Sequence, residues 1–349
     1  MRERKLQRLS LFGIAGLVIA AIGCGGGGSA GGGGVTGGST GVTGGTTGVT
    51  GGTTGATTGG VQTIYVADVT NSRIIRMNDI AGSGWTAFNV GAGVANQPNG
   101  VSVADNGAIY FTQFFSHRIA RVNGISGGGL VTLGGTAGSG VNQFRNPFST
   151  FVGSDGRIYV ADRGNNRIVR VNDITGSGWV SLGGPNSGSG VGQFNFPNHV
   201  ITANGKIYVS DGFNNRIIQM DDMSGAGWTT FGSQGSGVGQ FGGVVGQLAV
   251  DAQGRIYATD PGNRRIIRID NMSGANWVAY GSAGSGPGQF LNPSGIAIDS
   301  SGRIYVTDED NNRVIRIDNM SGANWTFLGP TSGGSGALQF NRPGGIWVE

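Results

Sequence analysis

The stretch Ile158-Tyr159-Val160-Ala161-Asp162, followed three residues on by Asn165 and then by Arg167-Ile168-Val169-Arg170, decides the fold because variants of it occur six times. Its Ile-Tyr pair recurs with tyrosines at 65, 110, 159, 208, 257 and 305, at spacings of 45, 49, 49, 49 and 48 residues. Each copy runs on in the same order. A turn such as Asn172–Gly178 leads to a Trp-Val pair, a Gly-rich stretch ending in Gly-Gln-Phe, and a segment like Asn292-Pro-Ser-Gly-Ile-Ala-Ile-Asp299. Each copy thus holds four apolar or alternating runs of about four to six residues separated by turn residues, the pattern of strands rather than helices.

Four antiparallel strands in every copy make a sheet that cannot cover its own faces, and radial stacking of such sheets supplies the cover. The expected fold is all-β: a six-bladed β-propeller of four-stranded antiparallel blades spanning residues 61–349. The two ends support it. The first copy begins at its second strand, near Thr63, and the chain ends with Pro343–Glu349, a copy of the missing innermost strand. That C-terminal strand is expected to complete the first blade, which closes the ring and removes an open edge.

Ahead of the propeller, residues 24–60 are almost all Gly and Thr with scattered Val, and carry no charge and no aromatic ring. Such a segment cannot bury a core and reads as a flexible tether with a root-mean-square span of about 30–35 Å. Residues 1–23 combine Arg2, Arg4, Lys5 and Arg8 with a short apolar run, the layout of a signal peptide. The run ends in Ala21-Ile22-Gly23-Cys24, which resembles the bacterial lipobox. The resemblance implies acylation of Cys24 and a lipid bilayer as one partner. It places the protein, lipid-anchored, on the extracytoplasmic side of a bacterial cell envelope, and Gly25 in place of an aspartate favours the outer membrane. Cys24 is the single cysteine, so no disulfide stabilises the fold.

The sequence pI is about 9.5. The leader contributes four of the basic residues and one acid, Glu3, so the remainder is nearly neutral and nucleic acid is not an expected partner.

The recurring IYVADxxNxRIxR with GQFxxPxGIAxD resembles the NHL repeat over nearly all of the chain from Val61. The resemblance implies an interaction platform, although related six-bladed propellers include lyases and lactonases. Residues present once per blade read as structural: Asp68, Asp162, Asp211, Asp260 and Asp308, the Asn three residues after each, and the Arg two beyond that. Trp85, Trp179, Trp228, Trp277 and Trp325 read as flank cover. The runs Asp308-Glu309-Asp310 and Asp221-Asp222 lack the spaced oxygen ligands of a calcium loop.

Function is expected where the repeat breaks, on the top face that carries the D-x-x-N loops and the GQFxxP connections. The second blade has Gln113, Ser116 and Leu130 in place of Asp, Asn and Trp, and gathers Phe114, Phe115 and His117. Before the innermost strands, Gly100, Gly295 and Gly345 give way in three adjacent blades to Ser149, His199 and Gln247, with Arg145, Phe148 and Asn198 close by. These read either as a pocket for a small polar ligand or as water-filled channel lining. The leading expectation is a monomeric binding or scaffold module for an envelope protein or polysaccharide. One alternative is a channel-mouth lyase or hydrolase using His199 as acid–base group; another is a purely structural surface protein. With two histidines and no free thiol, no metal or other cofactor is expected.

Overall fold

The computed structural model describes residues 62–91, 93 and 96–349. The expected signal peptide (1–23), the expected acylation site Cys24 and the Gly/Thr-rich segment (24–60) lie outside the described residues, as do Val61 and positions 92, 94 and 95.

The Ile-Tyr copies form the second strands of six four-stranded antiparallel sheets. In the third blade the order from the axis outward is Ser149–Val152, Ile158–Asp162, Arg167–Val171 and Val180–Gly183. Second strands such as Ile158–Asp162 are buried at every position. Each lies between two neighbouring blades, so β-branched and aromatic residues are used on both of its sides. Outer strands have solvent on one flank, and Thr86–Asn89 is mostly exposed. The core is therefore a series of layers between blades: Ile64, Val66, Ile75 and Met77 of the first blade lie against Tyr305, Val314 and Phe340.

The ring closes as the ends of the sequence require. Pro343–Val348 pairs antiparallel with Ile64–Asp68, in the register Ile64 to Val348, Tyr65 to Trp347 and Val66 to Ile346. Glu349 N–H donates to the Thr63 carbonyl at 2.9 Å. A register shift between Val66 and Asp68 bends the strand at its top end, and the fourth and sixth blades bend at the same level. Such bulges turn the inner strands toward one another as they reach the throat.

One clamp joins most blades to the blade before. In the sixth, Asp308 Oδ2 accepts from Arg313 Nε (3.2 Å) and Asn311 Nδ2 (2.6 Å), and Oδ1 accepts the N–H of Leu291 and of Asn292, each at 3.0 Å. Arg313 also donates to the carbonyls of Ser285 (2.5 Å) and Gln289 (2.8 Å), on the connection from the fifth blade. Its guanidinium lies 5.6 Å from the Trp325 ring, which in turn stands 5.6 Å from Phe290 of the Gly-Gln-Phe turn. Arg73, Arg167, Arg216 and Arg265 repeat the arrangement with their own Asp and Trp. Burial raises the carboxyls of Asp68, Asp162 and Asp211 despite the donors around them. Desolvation outweighs what the partners return, so the clamp fixes the blade-to-blade position more than it adds net stability.

The second blade has a neutral version. Gln113 Oε1 accepts from Arg118 Nε at 2.6 Å, and its Nε2 donates to the carbonyls of Val90 and Asn96, both at 3.3 Å. The connection before it has no Gly-Gln-Phe turn for a Trp to cover, and Leu130 at the Trp position is 56% exposed.

Candidate functional site

At the top of the axis the inner strands converge into a tight throat. A Cβ on Gly295 would stand 2.5 Å from the Gly344 carbonyl oxygen, and one on Gly345 would stand 2.8 Å from the Asn99 oxygen and 3.1 Å from Gln247 Nε2. Only glycine fits at these places, which explains its recurrence before the innermost strand. Ser149 and Gln247 are buried in this throat. The Gln247 side chain reaches across the axis toward the first blade, and the Ser149 hydroxyl has no protein partner. Asn198 is buried too, with Nδ2 donating to the Val245 carbonyl at 2.9 Å.

Below the throat lies a largely apolar cavity of about 220 Å³, lined among others by Thr150, Phe151, His199, Leu248, Ile296 and Trp347. Phe151 and Trp347, from the third and first blades, meet there with ring centroids 5.6 Å apart. His199 Nδ1 accepts the Leu248 N–H at 3.2 Å, so the neutral ring carries its proton on Nε2. Burial pushes its pKa down to about 3. Burial thus disfavours the charged imidazolium at this position. Among the described residues no three His, Cys, Asp or Glu side chains come together as a metal site.

The shift has a consequence for stability. The unfolded chain takes up the His199 proton near pH 6.5 and the folded chain only near pH 3. Between these values the unfolded state binds more protons, so stability is full above pH 6.5 and falls as the pH drops, at up to about 1.4 kcal/mol per pH unit. His199→Gln keeps a side-chain acceptor and removes the ionisation. Urea melts between pH 4 and 7 should show a shallower decline for this variant than for the wild type; equal slopes would contradict the assignment.

On the top face the irregular residues of the second blade join those of the third and fourth. Phe114 and Phe115 sit edge to face at 4.9 Å, and Phe114 meets Phe148 at 6.1 Å. Arg163, the first residue of the third blade's D-x-x-N loop, carries its guanidinium 5.0 Å from the Phe148 ring, 5.5 Å from Phe196 and 5.7 Å from Phe213. Phe196 and Phe213 are themselves 5.0 Å apart and are 37% and 42% exposed. Five phenylalanines from three blades thus form one continuous patch around a cation.

His117 lies at its edge as a latch. It adopts a left-handed backbone (φ 52°), where Asn166 and Asn312 stand in other blades, and its Nδ1 accepts the Asn146 N–H at 3.1 Å. Asn166 and Asn312 accept the N–H of Phe196 and Arg342 in the same way. Burial and the nearby Arg145 guanidinium hold the His117 pKa below its usual value. Arg145 is exposed, and its backbone bonds to Asp162 and Gly164 fix the connection.

The sequence-predicted residues therefore fall into two groups. Phe114, Phe115, Phe148, His117 and Arg145 share the top face; Ser149, Asn198, His199 and Gln247 belong to the throat and cavity. Arg163, Phe196 and Phe213 were not foreseen. The available signal was the residue after the clamp Asp, which is Val69, Phe114, Arg163, Gly212, Pro261 and Glu309 around the ring.

Residues 144–170 and 290–317, which include two of the clamp arginines, match the NHL repeat family. The matched segments lie in the third and sixth blades. Among solved structures this propeller is similar to a chain of the nidogen/laminin complex, with a TM-score of 0.62 at 17% identity over 82% of this chain and 98% of the other. A protein of unknown function from Bacteroides caccae gives 0.57 at 14% identity, over 83% and 99%. A streptogramin B lyase gives 0.50 at 18% identity, over 70% and 72%. At these identities the similarity concerns the fold. No curated protein matches the chain in sequence.

Proposed function

We propose that this protein is a binding or scaffold module of the bacterial cell envelope, anchored through an acylated Cys24, which docks a protein partner on the top face of its second, third and fourth blades. The observation that carries the reading is the continuous patch of Phe114, Phe115, Phe148, Phe196 and Phe213. Buried aromatic anchors dominate the energetics of protein interfaces, and a contiguous exposed apolar patch marks a contact site. The position agrees with the fold, because the patch is built from loops that a rigid ring of clamped blades holds in place. A propeller of this architecture also occurs in the nidogen/laminin complex.

The reading is tested by co-purifying partners from envelope fractions with the wild type, with Phe114→Ser plus Phe115→Ser, and with Leu130→Ser on the opposite face. Loss of two central aromatics should weaken retention of a specific partner by about tenfold or more, an effect of at least ~1.4 kcal/mol. Leu130→Ser should leave retention unchanged. Equal retention by all three forms would remove the top face from consideration.

A further inference from the structure

Arg163 differs from the clamp arginines. Arg73, Arg167, Arg216, Arg265 and Arg313 each meet an aspartate of their own loop within 3.2 Å. Arg163 is only 7% exposed and meets none. Its Nε is buried without a hydrogen-bond partner, and desolvation alone draws its pKa down to about 10, with no neighbouring carboxylate acting on it. Asp162, next in sequence, is fully committed to the Arg145 N–H, Asn165 and Arg167. What surrounds the guanidinium instead is the ring faces of Phe148, Phe196 and Phe213. Aromatic faces attract a cation but return less than a hydrogen-bonded counter-ion does, so the site remains short of negative charge.

We propose that Arg163 is the anion receptor of the top face and takes the carboxylate of an Asp or Glu side chain, presented by a partner segment in which that acid is flanked by apolar side chains. This rests on the reading of the face as a docking surface and states what the partner must present. A guanidinium edge receives a planar carboxylate through two parallel hydrogen bonds. Phe196 and Phe213, whose rings lie 5.5 and 5.7 Å from the guanidinium and are partly exposed, receive the neighbouring apolar groups. Charge complementarity points the same way: the patch carries Arg163 and the exposed Arg145, and the loop aspartates of its third and fourth blades, Asp162 and Asp211, are occupied in their own clamps. Across the ring, the equivalent loop of the sixth blade carries Glu309, which Arg342 neutralises. An acidic segment is thereby favoured over the third blade in particular.

The test uses the full chain purified in detergent and three probes: acetyl-Leu-Phe-Glu-Phe-Leu-amide, its glutamine counterpart, and the glutamine peptide with a free C-terminal carboxylate. Affinity is read by fluorescence titration, and occupancy by the Arg163 Nε–H resonance. The glutamate peptide should bind about tenfold or more tightly than the glutamine amide and shift that resonance. Arg163→Met preserves the length and apolar packing of the side chain, should fold with an unchanged melting curve, and should bind both amides equally.

Equal affinity of the two amides for the wild type overturns the carboxylate assignment and leaves the docking reading intact. A glutamate preference that persists in Arg163→Met moves the receptor to Arg145 and overturns the role of Arg163. Binding of the free-carboxylate glutamine peptide as tight as that of the glutamate peptide replaces the acidic side chain by a chain terminus. If no peptide binds, the proposal fails even where the partner co-purification succeeds.

Discussion

Truncation after Arg342 should abolish cooperative folding of the propeller. The lost segment is the inner strand of the first blade, and its removal exposes an unpaired edge along Ile64–Asp68. Ile64 and Val66 are fully buried, as are Ile75 and Met77 in the same inter-blade layer, and Ile346 is lost outright. A fully buried aliphatic side chain contributes about 1.5–3 kcal/mol, so three or four of them approach the whole stability of an ordinary domain, about 5–15 kcal/mol. The ring also opens, so the layer between the sixth and first blades loses its cover on one side. Circular dichroism melting of the truncated chain should show a broad or absent transition. A sharp transition within about 5 °C of the full chain would mean that closure is dispensable.

The second large effect is expected at the clamp. Asp308→Ala leaves Arg313, which is 1% exposed, buried without its carboxylate, and also releases Asn311 and the N–H groups of Leu291 and Asn292. Breaking one side of a buried pair costs about 3–5 kcal/mol, because the remaining charge stays desolvated. Replacing both partners, as in Asp308→Leu with Arg313→Met, should recover much of that loss, since the pair gains little over apolar packing to begin with. Gln113→Ala in the second blade removes a neutral acceptor from Arg118 and a neutral donor from the Val90 and Asn96 carbonyls, with no charge left unpaired by a lost carboxylate, and should cost about 1–3 kcal/mol. Urea titration of the wild type and the three variants measures all three comparisons. If Asp308→Ala and Gln113→Ala proved equal, the clamp would not depend on charge.

Much of the architecture is readable along the chain because a propeller's information is local. A strand needs alternation or an apolar run, a turn needs Gly, Asn or Asp, and both recur at the period of the blade. The clamp is also visible in outline, since Asp, Asn and Arg keep fixed offsets within one loop. Their acceptors on the preceding connection are not visible, because Ser285 and Gln289 are separated from Arg313 by 28 and 24 residues. The tryptophans carry a similar lesson. Their place in each copy marks an outer strand, but only the assembled ring shows that they sit between the clamp Arg and the Phe of Gly-Gln-Phe.

The candidate site was less legible, for a physical reason. A break in the repeat marks Phe114, Phe115 and His117, yet a break does not say where a side chain goes. His117 departs from the repeat and still performs the repeat's task, accepting the next connection's N–H from a left-handed position. Ser149, His199 and Gln247 occupy equivalent positions, and their surroundings differ because the inner strands bend together at the throat while the cavity widens beneath it.

By itself the sequence determined the blade count, the strand order, the closing of the first blade by the last strand, and the near-neutral charge of residues 24–349. These follow from periodicity, from the unpaired inner strand at the chain end, and from counting. Tertiary structure alone decided that Phe148, Phe196 and Phe213 surround Arg163. Those residues come from loops of two blades, and the angle between blades sets which rings can reach the cation. The same packing withholds a carboxylate from it, and that is the feature to which a function can be attached.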